Sequence, residues 1–213
     1  EEQAAALVDG GVDIIWLETM SSKEELQAAG VGAAKAEAPI VATMTFDTNG
    51  STMMGVPPAQ LVDIYHATVP RLAVYGANCG VGAADLIGTI SAMRRHSSPQ
   101  DILVAKGNCG IPQFVDGEIK YSGTPELMAE YACLARDIGA RIIGGCCGTT
   151  PTHFAALRGA LVAHQVRPPP EIDTIVDILG PVTAGTRAVC TSTGSLPETD
   201  ANPRRSRNSR RRK

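Results

Sequence analysis

The chain has 213 residues, 44% of them hydrophobic and 19% charged. That is enough apolar material for a sizeable core, and it excludes a disordered or fibrous chain; no apolar run is long enough to span a bilayer. The net charge of −3 hides an asymmetry, because seven of the 19 Lys+Arg fall in Arg204 to Lys213, leaving 12 basic against 20 acidic residues up to Cys190. By charge, the body is not a nucleic-acid binder.

Alanine-rich Glu1 to Val8 reads as a helix closed by Gly10-Gly11, and Asp13 to Glu18 as a buried strand. Ser21-Ser22 followed by Lys23-Glu24-Glu25 predicts an N-cap with acids in the first turn, opening a helix to about Glu37. The pattern then repeats. Pro39 to Phe46 is a strand, Asp47 to Met54 a loop, and Pro57-Pro58 opens a helix from Ala59 to about Thr68. Leu72 to Cys79 is the third strand, and Gly80-Val81-Gly82 turns it into a helix over Ala83 to Arg95. Ile102 to Lys106 is the fourth, followed by a long loop through Asn108-Cys109-Gly110 and Asp116-Gly117. A helix from Thr124-Pro125-Glu126 to Ile138 stops at Gly139. Arg141 to Gly145 is the fifth strand and His153 to Ala163 the fifth helix. After Pro168-Pro169-Pro170 comes a short amphipathic helix, Glu171 to Leu179, ended by Gly180-Pro181. Beyond it the Ser/Thr/Arg-rich sequence has no apolar period, and residues 182–213 are expected to be a disordered basic tail whose Arg204 to Lys213 end could meet an anionic surface.

Apolar strands alternating with helices imply a parallel sheet covered by helices. No G-x-G-x-x-G opens a helix, and the cysteine and polar residues sit at several different strand ends. Residues gathered from many strand ends point to a (β/α)8 TIM barrel. Five β/α units would leave its first three missing, with a partial barrel over residues 1–181. Glu1 is not a start methionine, there is no signal-like opening, and six cysteines without the spacing of a secreted scaffold suit a reducing compartment. The reading is a cytoplasmic, soluble piece of a longer protein.

The chemistry lies in Gly144-Gly145-Cys146-Cys147-Gly148. A strand breaks there into a glycine-flanked turn, and the backbone must leave β geometry to bring adjacent thiols to one side. Cys79 ends the third strand in the same manner, so on a barrel rim Cys79, Cys146 and Cys147 can meet. Three thiolates suit Zn2+ with one coordination position open to a substrate, where four would close a structural site.

Gly76-Ala77-Asn78-Cys79-Gly80 and Gly144 to Thr149, together with Trp16-Leu17-Glu18-Thr19, resemble the homocysteine-binding, zinc-dependent S-methyltransferases. Asp47 to Gly55, Lys106-Gly107-Asn108 and Tyr121 to Met128 are most similar to the bacterial betaine-homocysteine enzymes. The resemblance runs from Glu1 to about Pro181. It implies zinc on Cys79, Cys146 and Cys147, the homocysteine amino group held by Glu18, and Asn108 capping the metal or positioning substrate. The methyl donor would be betaine, S-methylmethionine or a methyl-folate or corrinoid, and the product methionine. Much of the donor pocket belongs to strands absent here, so the chain alone is expected to be incomplete for catalysis. Two alternatives stand beside this reading: the homocysteine module of a cobalamin-dependent methionine synthase, and an inactive zinc-binding fragment.

Cys109, Cys133 and Cys190 are read as core or unassigned thiols, and His66, His96, His153 and His164, on helices or their caps, receive no chemistry. Lys106, at a strand end, could be a Schiff-base lysine, the rival enzyme reading. Glu18 could instead form a salt bridge to a neighbouring helix.

Overall fold

The computed structural model describes residues 1–68, 72 and 74–191. In chain order its elements are α1 (Glu2–Asp9), β1 (Ile15–Met20), α2 (Lys23–Ala34), β2 (Ile40–Met44), α3 (Pro58–Ala67), β3 (Val74–Cys79) and α4 (Ala83–His96). They continue with β4 (Ile102–Gly107), β5 (Pro112–Val115), β6 (Glu118–Tyr121), α5 (Pro125–Ile138), β7 (Ala140–Gly145), α6 (Pro151–Ala163), α7 (Ile172–Leu179) and α8 (Ala184–Thr191). The five expected strands form one parallel sheet in the order β1-β2-β3-β4-β7, so each long strand lies beside the next one along the chain.

Local chemistry sets the helix ends. The Ser22 hydroxyl accepts from Glu25 N–H at 3.1 Å while the Glu25 carboxylate accepts from Ser21 N–H at 2.7 Å, satisfying two donors that a helix start leaves free. Thr124 caps α5 through Leu127 N–H, and Gly139 ends it at φ 98°, a left-handed conformation that costs glycine little.

Strand alternation divides the sheet into two faces. Ala42, Met44, Tyr75, Ala77, Leu103 and Ala105 point to the helices and join Leu61, Ile87, Ile90 and Met128 in the main core. Each large side chain buried there contributes about 1.5–3 kcal/mol. Tyr65 and Tyr75 stack at 4.4 Å within it, and the Tyr65 hydroxyl donates to Gly76 O at 3.0 Å. The opposite face carries Trp16, Glu18, Thr43, Asn78 and Lys106, linked by a Trp16 indole N–H to Thr43 hydroxyl contact at 3.3 Å and by Lys106 against Trp16 and Glu18. A polar face on a parallel sheet is where a ligand belongs.

Two segments depart from expectation. The loop after β4 contains an antiparallel hairpin, β5 and β6, that pairs Pro112 with Tyr121 and Phe114 with Ile119. Its turn is Asp116-Gly117 with φ of 54° and 84°, the double left-handed geometry that Asp-Gly favours and that matches strand twist. The expected disordered tail is also wrong at its start, because Ala184 to Thr191 is helical. Both the hydroxyl and the N–H of Thr183 donate to Asp85 Oδ1, at 2.8 and 3.1 Å, and Thr186 N–H donates to the Thr183 hydroxyl. These bonds cap α8 and dock it on α4, where Gly88 leaves room for Thr186 and Cys190. Tail residues 192–213 lie outside the described residues, as do Val69 to Arg71 and Ala73 before β3.

Candidate metal centre

The strands β3, β4 and β7 end together on one rim, and each ends in a turn that contributes to one cluster. Cys79 closes β3 at φ 61°, followed by Gly80 at φ 73°. A left-handed non-glycine residue costs about 1–2 kcal/mol, and such strain collects at functional positions. After β7, Cys146 N–H donates to Gly107 O at 2.8 Å, which continues the ladder by one bond, and the chain then turns. The Thr149 hydroxyl accepts no share of that ladder but donates to Cys146 O at 2.6 Å, and Gly148 adopts φ 79°. The two neighbouring thiols thereby come to one side.

The sulfurs of Cys79, Cys146 and Cys147 all lie within 4.8 Å of one another, and Cys79 Sγ is 3.8 Å from Cys147 Sγ. Tetrahedral Zn–S bonds of about 2.3 Å separate two sulfurs by about 3.8 Å, so the donor set fits a zinc ion. Burial and the charge of Cys146, with smaller contributions from Cys147, push the Cys79 thiol up to about 12, although Asn108 acts in the opposite direction. The Cys79 thiol thus resists ionisation by itself, and a bound divalent cation would reverse that preference.

Asn108, 2% exposed, sits between the two cysteine turns. Its Nδ2 donates to Gly80 O at 2.9 Å and its Oδ1 accepts from Cys147 N–H at 3.1 Å. Both ends of the amide are thus bonded to the backbone beside Cys79 and Cys147, so Asn108 ties the two cysteine turns together. Asn78 does similar work on the other side. Its Oδ1 accepts from Thr19 N–H at 3.1 Å, and its Nδ2 donates to the Thr19 hydroxyl at 2.7 Å and faces Cys146 Sγ at 3.9 Å.

Glu18 is exposed near the end of β1 and pairs with Lys106. Its partner is therefore a strand-end lysine across the sheet, not a neighbouring helix. Tyr121, at the end of β6, was missed. Its ring lies on Gly148, where an added Cβ would be 2.3 Å from Cγ, and burial, with the neighbouring Cys147, raises the phenol's pKa. The Asp-Gly turn with alternating residues around it was the available signal. Cys109 is buried and donates to Gly123 O at 3.2 Å, Cys190 donates to Gly88 O at 3.3 Å, and Cys133 lies on α5. None of these three joins the cluster. His66 and His164 bond Asp101 and Asp137, and His153 caps α6.

A parallel β/α sheet with three cysteines gathered at its strand ends places this chain among proteins whose donor set could hold a metal ion. Residues 1–161 match the homocysteine S-methyltransferase family, and the chain belongs to it. It is 30% identical over 176 residues to the methionine synthase of Mycobacterium tuberculosis and 28% identical over 170 residues to that of Mycobacterium leprae, covering 78% and 75% of this chain. The chain spans 14% of the length of either synthase. Among solved structures, the apo homocysteine methyltransferase MmuM of Escherichia coli superposes with a TM-score of 0.57 at 24% identity, over 75% of this chain and 56% of that one. Its metallated form gives the same TM-score and identity over 74% and 51%. At that identity the likeness concerns the fold.

Proposed function

We propose that the chain is the metal-binding part of a zinc-dependent enzyme that transfers a methyl group from a small donor, betaine in the favoured case, to the thiol of homocysteine, giving methionine. The observation that carries this is the convergence of Cys79, Cys146 and Cys147 within 4.8 Å at the ends of two strands. Cys79, Cys146 and Cys147 hold the ion. Bound there, Zn2+ would supply the charge that lets an incoming thiol lose its proton and react as a thiolate. Asn108 and Asn78 fix the three sulfurs. Glu18 holds the homocysteine ammonium, and Asn108 serves the substrate through the cysteines that it positions. The sulfur then takes the methyl carbon, and the donor leaves with the electron pair of the broken bond.

The five strands are read as five of the eight in a (β/α)8 barrel spanning residues 1–181. Their sequential parallel order and the polar face turned away from the helices support this. In a closed barrel that face becomes the lumen, and its rim binds substrate. None of the helices among the described residues is long and apolar enough to cross a membrane, in keeping with a cytoplasmic enzyme. The identity to methionine synthases supports a second reading, the homocysteine module of a cobalamin-dependent synthase. Assaying the complete protein with betaine, S-methylmethionine and methyl-folate separates the two. The metal assignment is tested by zinc content. About one zinc per chain should fall to near zero in Cys79→Ala and Cys146→Ala and persist in Cys133→Ala. Loss in Cys133→Ala with retention in the other two refutes the site.

A further inference from the structure

Homocysteine carries its ammonium and its carboxylate on one carbon. A site can recognise both by placing a negative and a positive side chain next to each other, within reach of the atom that receives the sulfur. Glu18 supplies the negative group in the reading above, on which this inference rests. The positive one is already in contact with it: Lys106 Nζ pairs with Glu18 Oε1 and lies 5.0 Å over the Trp16 ring.

The placement of Lys106 joins this pair to the metal site. Its register partners are Asn78 on β3 and Gly144 on β7. Asn78 faces Cys146 Sγ, and the residue after Lys106, Gly107, accepts from Cys146 N–H. Gly144 has no side chain, and a Cβ there would lie 3.6 Å from Lys106 Cγ, so on the side away from β1 no β7 side chain crowds the lysine stem. Lys106 reaches over the polar face past two strands, β3 and β2, to meet Glu18 on β1. Its side chain is 23% exposed and that of Glu18 39%, which keeps both charges reachable from the rim. A lysine committed to a carboxylate is also poorly set up as a Schiff-base nucleophile.

We infer that Lys106 is the carboxylate-binding residue for homocysteine and that its ammonium occupies, in the substrate-free protein, the place on Glu18 that the substrate ammonium takes. Binding exchanges one ion pair for two: the substrate ammonium displaces Lys106 from Glu18, and Lys106 turns its ammonium to the substrate carboxylate. The positively charged group released over Trp16 is thus never left without a counter-charge. An amino-acid thiol is selected over a thiol bearing only one of the two charges.

The test is calorimetric binding to the zinc-loaded full chain, with L-homocysteine and 3-mercaptopropylamine, its decarboxylated analogue, as probes. Wild type should bind homocysteine about tenfold or more tighter than the amine, as a charge-assisted contact predicts. In Lys106→Met that preference should vanish through weaker homocysteine binding, while the amine binds as well as before or better because Glu18 is freed. Lys106→Arg should keep most of the preference. Equal weakening of both probes in Lys106→Met, loss of its zinc, or unchanged homocysteine binding overturns the inference. If Glu18→Gln loses homocysteine while Lys106→Met keeps wild-type affinity, the functional reading survives and this assignment fails. If wild type binds neither thiol, both fail together.

Discussion

Replacing Asn108 by alanine separates two roles that the side chain could have. The substitution removes the donation to Gly80 O and the acceptance from Cys147 N–H, two hydrogen bonds of 2.9 and 3.1 Å made by a side chain that is 2% exposed. At about 1–1.5 kcal/mol net for each, with some added cost for the carbonyl and N–H left behind, the fold should lose about 2–4 kcal/mol. The lower end is favoured, because Cys147 is exposed and water can reach its backbone. The same two bonds set the spacing of the turns that carry Cys79 and Cys147. Zinc affinity should therefore drop about 10- to 100-fold, as it does when groups that orient metal ligands are removed. Homocysteine binding to the zinc-saturated variant should stay within about threefold, or roughly 0.65 kcal/mol. Urea denaturation gives the first quantity, competition with a chromophoric chelator the second and calorimetry the third. Unchanged zinc affinity together with lost homocysteine binding would show that Asn108 touches the substrate directly, and would refute the reasoning.

Gly148→Ala combines a φ of 79° with a Cβ 2.3 Å from the Tyr121 ring, whereas Gly117→Ala has φ 84° with nothing within 4 Å. Both should pay about 1–2 kcal/mol of left-handed strain, and only Gly148→Ala should lose more than that and weaken zinc binding; equal urea midpoints would contradict the Tyr121 contact. The pH dependence of zinc uptake follows from Cys79, whose thiol is pushed up to about 12. Since coordination requires the thiolate, affinity should rise with pH through the whole neutral range, by at least about tenfold per unit between about pH 6 and 9. A chelator-competition profile that is flat there would exclude Cys79 as a ligand.

Much of this arrangement is legible in the sequence, for physical reasons. A thiol at the end of an apolar strand and beside a glycine is costly to explain by packing alone, and three such thiols on one rim imply a common ligand. The five strands and their helices follow from apolar runs and capping residues, each a local signal. What escaped were contacts made between distant segments. The reach of Lys106 to Glu18 passes two intervening strands, and the grip of Thr183 on Asp85 joins residues 98 apart. The hairpin was within reach, since Asp116-Gly117 is flanked by alternating residues, but glycines and prolines around it read more readily as loop. Asn108 was singled out for the site from the loop after the fourth strand, but the sequence does not say that both ends of its amide meet backbone.

The cysteine sulfurs come from turns 68 residues apart, and β4, which is followed by Asn108, lies between their strands. The three-cysteine cluster therefore does not exist before the sheet does. In small zinc domains the ion drives folding, because the ligands sit close along the chain and the unfolded apo state waits for it. With zinc on the proposed site the order would be reversed. β3, β4 and β7 would first pair in register, a slow step that closes long loops, and metal uptake would then report that the sheet has been assembled correctly. A misregistered sheet would carry the same cysteines without the site, so the ion would discriminate finished molecules from unfinished ones.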